Sequence, residues 1–213
     1  MIVAFSLSNC LAGIVLLCAF LQLVQQRVMA ILTLSQIAAL ALGFIAVLQG
    51  LKLHGWWFYL LAAMIFAAQF LAFPWVVQRL FRRFSVNPVL NRGLPLALSL
   101  MIGVLAVFLA IMGGLPLAKQ FWPDAGGALS LAMAVTLLGV WLIVLHNERL
   151  AQMIGFVTFE NGLALALIYA PRLGWGVAIA LIGLLVLVTG LGLFRVGRHY
   201  ETLAAAAAAG AAS

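Results

Sequence analysis

The stretch HNERLAQMIGFVTFENGLALALIYAPR, His146 to Arg172, decides how the chain is read. Between Arg149 and Arg172 it carries one charged residue, Glu160, inside an apolar run long enough to cross the ~30 Å of hydrocarbon in a bilayer. Glu160 stands eleven residues past Arg149. At a rise of ~1.5 Å per residue that is roughly 16 Å of depth, close to the bilayer centre. Insertion scales set ~2.5–3.5 kcal/mol against an acid there, so the rest of the chain must hold it.

The rest of the chain repeats the apolar pattern. Of 213 residues, 67% are hydrophobic and only 7% charged, and the mean hydropathy is +1.26. A water-soluble domain of this size needs far more charge on its surface. Apolar runs near 2–24, 28–50, 56–77, 94–116, 127–145, 150–170 and 175–194 predict an all-α, polytopic membrane protein of about seven transmembrane helices. One transmembrane helical domain is expected over 1–203, comprising a four-helix part (1–118) and a three-helix part (127–198). Little is left over for a soluble catalytic domain.

The net charge of +7 is informative through its placement. Arg27, Arg79, Arg82, Arg83, Arg92, Arg149, Arg195 and Arg198 fall in alternate connections and in the segment after the last span, whereas Lys52, Lys119 and Arg172 fall in the others. By the positive-inside rule this puts the N-terminus outside and the C-terminus in the cytoplasm. The basic residues are then topology signals and partners of the lipid bilayer; no nucleic acid is expected. Cys10 and Cys18 share the first run, roughly 12 Å apart on a helix, too far for a disulfide between them. The opening MIVAFSLSNC lacks a basic n-region, so a retained helix is expected rather than a cleaved leader.

Most connections are short, which makes sequential helices antiparallel neighbours. The longest basic one, QRLFRRFSVNPVLNRGLP, holds Pro88 and Pro95, and Pro95 suits a first helical turn. Trp56, Trp57, Trp122 and Trp175 lie at expected span ends, where aromatic rings favour the interface. The Ala-rich tail, 204–213, has no apolar face to bury and is either an extension of the last helix or a disordered end. No internal repeat or pair of broken helices is evident.

Several chemistries lack their residues. His54, His146 and His199 lie at span ends or in the tail, with His54 opposite the other two, so neither haem nor a metal site is expected. No Cys cluster, phosphate-binding loop or dinucleotide fingerprint occurs, and no nucleophile has a base beside it. The chain by itself is read as non-catalytic, without a cofactor. Transport, charge transfer and scaffolding remain.

Glu160 is the candidate for proton movement, because intramembrane ionisable groups are functional by default and a proton path needs a group able to change protonation state. The competing reading is a neutral acid that only joins helices by hydrogen bonds. Gly155, Gly162, Ala164 and Ala166 around it permit close helix approach. Asn161 is adjacent in sequence but points about 100° away. Gln36, Gln69 and Thr136 lie at middle depths of other spans, with Ser35 nearer the cytoplasmic end. Gln69 is the first candidate donor to the acid. Glu148, beside Arg149 at the water boundary, reads as a solvated surface charge.

The segment NERLAQMIGFVTFENGLALAL resembles a helix of hydrogenase-4 component E, a membrane subunit of group 4 [NiFe] hydrogenases. The matching features are the basic Arg149, Gln152 through Gly155, and Glu160-Asn161-Gly162 at mid-helix. Length and number of spans also agree, while the specific likeness covers about twenty residues. The last three runs are similar to subunit K of respiratory complex I, which has its N-terminus outside and a glutamate in its second helix implicated in proton translocation. The resemblance implies an inner (plasma) membrane subunit of a complex I-like assembly. Its partners would be antiporter-like and other membrane subunits, with peripheral [NiFe] hydrogenase or related redox subunits. Two departures stand out. The last run, GWGVAIALIGLLVLVTGLGLF, has no acid where subunit K carries one, and AAQFLAFP has Gln69 near the place where component E proteins can carry a lysine. With one ionisable group, a proton crossing this chain also needs water and side chains of neighbouring subunits.

Overall fold

The computed structural model describes residues 2–84, 94–121, 126–146, 148–170 and 175–211. Every regular element among them is helical: α1 (Ile2–Val24), α2 (Val28–Leu53), α3 (Trp56–Ile65), a π-helical segment (Phe66–Ala72), α4 (Phe73–Phe84), α5 (Leu96–Phe121), α6 (Gly126–Leu145), α7 (Arg149–Tyr169) and α8 (Trp175–Ala211). Among the described residues, six helical stretches are long and apolar enough to cross a membrane: α1, α2, the run from α3 into α4, α5, α6 and α7. The chain is thus an all-α, polytopic membrane protein. The expected seventh span, 175–194, forms the first part of α8.

The boundaries differ from the sequence reading where polar residues remain helical. The third run continues to Phe84, so much of the basic stretch QRLFRRF is helix rather than connection. There Arg79 lies 5.2 Å from the centre of the exposed Trp75 ring, a cation–π contact at the rim. Likewise α5 runs through Pro116 to Phe121. The 37 residues of α8 span about 55 Å, well beyond a hydrocarbon core. The Ala-rich tail is helical to Ala211. Pro88 and Trp122 lie outside the described residues. At the other end of α2 the chain turns through His54, whose φ of 50° is left-handed and is followed by Gly55.

Helices α1, α2, α6 and α7 share the interior. Lipid gives apolar side chains no reason to leave it, so association rests on close packing and on buried polar bonds. The α6–α7 pair shows how the sequence permits this. A Cβ at Gly139 would lie 2.6 Å from Phe159 Cα, one at Gly155 would lie 2.8 Å from the Ile143 nitrogen, and one at Gly162 would lie 2.8 Å from Thr136 Cα. The three contacts step along the helices in opposite directions, as in an antiparallel pair. No larger residue fits at these positions without parting the helices. On the outside, α5 presents Met101, Val104, Phe108 and Met112, all exposed, as an apolar surface.

The third run is interrupted. Among its buried residues, Phe58, Leu61, Ile65, Gln69, Phe73 and Val77 keep one face, the last four at a constant spacing of four. In an α-helix each step of four overshoots a full turn by about 40°, so three such steps would carry the stripe about 120° off its face. The wider π turn over Phe66–Ala72 absorbs that drift. Pro74 supplies the local cause. It has no N–H, so the Phe70 carbonyl cannot receive its α-helical bond. Gln36 Nε2 of α2 donates to that carbonyl instead, at 3.4 Å.

Candidate functional site

Glu160 lies at mid-length of α7, and its side chain turns inward with only 3% exposure. Two other helical runs meet it there. Thr189 of α8 donates its hydroxyl to Glu160 Oε1 in a buried bond. Gln69 offers the carboxyl a second donor from the π segment, of which it is the one buried residue. A carboxyl that accepts from two side chains of different helices has its burial partly compensated without any cation. Close approach of α8 to α7 is allowed by Gly192, where a Cβ would meet Met153 Sδ at 2.6 Å.

The same three side chains line a cavity of about 440 Å³. Its walls are the π segment and α4 on one side, Val157 and Glu160 of α7 on another, and α8 from Val186 to Glu201 on the third. Between Thr189 and Glu201 that wall extends roughly 18 Å along the helix. The cavity therefore leads from the acid at mid-length of α7 to Arg198 and Glu201 in the polar part of α8. Its middle is apolar, formed by Phe73, Val76, Leu193 and Phe194. Among the described lining residues the titratable groups are thus confined to the two ends, and a proton between them would move through water or groups of another subunit.

The remaining sequence candidates have other places. Gln36 is bound to the Phe70 carbonyl, where it supports the π segment that carries Gln69 rather than touching the acid. Thr136 backs onto Gly162 across the α6–α7 contact and donates to the Ala132 carbonyl at 2.8 Å. Asn161 is buried, and neither of its amide atoms has a hydrogen-bond partner among the described residues. Neither Thr136 nor Asn161 is brought to the carboxyl. Thr189 escaped the sequence reading, although it is the lone hydroxyl in the apolar run 175–194 and could have been singled out for that reason.

Comparison of the chain with protein-family models, with curated proteins and with solved structures finds no match in any of the three.

Proposed function

We propose that this chain is a non-catalytic inner (plasma) membrane subunit of a complex I-like, hydrogenase-4-type oxidoreductase, in which Glu160 takes part in proton translocation coupled to electron transfer elsewhere in the assembly. The observation that carries the proton role is the position of the carboxyl. It is buried at mid-length of α7, held by two neutral donors, and set in the wall of a cavity that reaches the charged end of α8. Intramembrane acids almost always face the bundle interior or a water-filled cavity, and they mark ion pathways and proton relays. The assembly itself is proposed from the likeness of the sequence Asn147–Leu167 to component E and from the matching place of Glu160 in subunit K. The N-terminus outside and the C-terminus in the cytoplasm belong to the same proposal, and the first part of α8 is its seventh span.

A long apolar wall without titratable groups favours a shared path, completed by antiporter-like membrane partners, over a channel enclosed by this chain. The test is to purify the chain from its native membrane in mild detergent through an affinity tag. The proposal expects a [NiFe] large subunit, an iron–sulfur subunit and antiporter-like subunits to co-elute in fixed ratio, with hydrogen-dependent redox activity. Antiporter-like partners without redox subunits would instead support a cation/proton antiporter-like assembly. Elution of the chain alone would refute both. A role as a structural anchor within the hydrogenase-type assembly predicts the same partners, and is separated by the behaviour of Glu160 variants.

A further inference from the structure

Buried polar groups also collect on a different side of α7, where it meets α1 and α2. Thr158 Oγ1 of α7 donates to Gln22 Oε1 of α1 at 2.6 Å. Gln22 Nε2, Ser35 Oγ, Asn161 Nδ2 and Asn161 Oδ1 have no hydrogen-bond partner among the described residues. All four side chains are at most 1% exposed. Thr158 and Asn161 are three apart on α7 and so share a face. That face differs from the one formed by Gly155, Phe159 and Gly162 against α6, and from the direction of Glu160 toward α8.

The helix register brings these groups to neighbouring levels. At the other end of the bundle the Tyr169 hydroxyl stands against the Ser8 and Gln49 side chains. Fourteen residues back from each, about 21 Å along the helices, come Gly155, Gln22 and Ser35. Thr158 and Asn161 lie about 4.5 and 9 Å beyond that level, and α-helical side chains lean toward their helix N-terminus, which here is back toward Gln22 and Ser35. Some of the buried positions next to that level are small, Ala38 and Ala39 of α2 and Cys18 and Ala19 of α1, while Val15, Leu42, Ile45 and Leu165 fill the interior farther toward Tyr169.

The chemistry of those groups selects the occupant. Gln22 Nε2 and Asn161 Nδ2 only donate, Asn161 Oδ1 only accepts, and Ser35 does both. A cation would leave the amide N–H groups unanswered, and an anion would leave the carbonyl oxygen unanswered. Water answers both kinds, and a buried water needs two to four such partners. The selection holds for either orientation of either amide, since inverting Gln22 merely exchanges which of its atoms lacks a partner. We infer that the α1–α2–α7 interface encloses a small cluster of ordered water held by Gln22, Ser35, Thr158 and Asn161. It brings water to the depth of Glu160 on a separate side of α7 from the cavity. This site stands whether or not Glu160 carries protons.

Radiolytic hydroxyl-radical labelling of the full chain in lipid nanodiscs, read by mass spectrometry, tests it. Radicals form in place from internal water, so side chains beside such water are modified even when shielded from bulk solvent. After correction for intrinsic reactivity, Cys18 and Ile154 should label several-fold faster than Leu138, which is equally buried in the α6 interior. Asn161→Leu and Ser35→Ala should lower the rates at Cys18 and Ile154 while leaving Leu138 unchanged. Wild-type rates at Cys18 and Ile154 as low as that of Leu138 would overturn the inference, whatever the variants do. Rates that rise when sodium and potassium are removed would also overturn it, by showing a cation in the place of water.

Discussion

Pro74 and Gln36 form a pair whose coupling can be worked out in advance. The proline withholds an N–H from the Phe70 carbonyl, and Gln36 Nε2 replaces it at 3.4 Å. Interhelical hydrogen bonds within membranes contribute ~0.6 kcal/mol on average and up to ~1.7 kcal/mol. A bond of this length belongs near the average, and leaving the carbonyl unanswered adds to the loss, so Gln36→Leu should cost about 1 kcal/mol. In a Pro74→Ala background residue 74 regains its N–H, the carbonyl has its own helical partner, and Gln36→Leu should cost close to nothing. Their coupling energy should therefore be about 1 kcal/mol in a double-mutant cycle. Reversible unfolding in mixed lipid–detergent micelles, titrated with a denaturing detergent, gives the four stabilities. Equal cost of Gln36→Leu in both backgrounds would refute the link between the proline, the π segment and α2.

Four further outcomes follow from the same packing. Glu160→Leu strands the Thr189 hydroxyl and the Gln69 amide and should lower stability by about 1–2 kcal/mol, whereas Glu160→Gln keeps an acceptor oxygen and should stay within about 0.5 kcal/mol of wild type in the same unfolding assay. Thr189→Val, nearly the same shape without the donor, should impair proton movement in the reconstituted assembly while Thr189→Ser largely preserves it; equal behaviour of the two would remove Thr189 from the site. Gly139→Leu must push against the Phe159 backbone and should destabilise by about 1–3 kcal/mol, while Gly183→Leu, at a glycine with no atom near its Cβ position, should be close to neutral. Cysteines placed singly at the two termini, with Cys10 and Cys18 replaced, should label from opposite sides of intact cells or inverted vesicles, and labelling from one side would contradict the proposed seven crossings.

The architecture was legible because lipid imposes a coarse requirement: long apolar runs that satisfy their own backbone. That requirement marked α1, α2, α6 and α7 nearly to the residue. It was less informative where polar residues stayed helical, as in α4 beyond Val77 and α8 beyond Phe194, because a helix leaving the bilayer meets no penalty for continuing. The site was half visible. Glu160 stood out as an isolated acid, and Gln69 as a polar residue at similar depth. The interruption that turns Gln69 inward was encoded in the four-residue spacing of Ile65, Gln69, Phe73 and Val77 together with Pro74, a pattern easily mistaken for a uniform apolar helix. Thr189 and Gln22 were missed for another reason. Threonine bonds readily to its own helix, and glutamine near a helix end reaches the interface, so only the packed bundle shows that they bridge helices.

The proton role of Glu160 is tested most directly by counting protons moved per electron in vesicles containing the whole oxidoreductase assembly with Glu160→Gln. Assembly and electron transfer should persist, because the amide keeps the hydrogen bond from Thr189, while the number of protons moved per electron should fall below that of wild type. An unchanged ratio, with the variant present in full stoichiometry, would contradict the proton role and leave Glu160 as a link between helices.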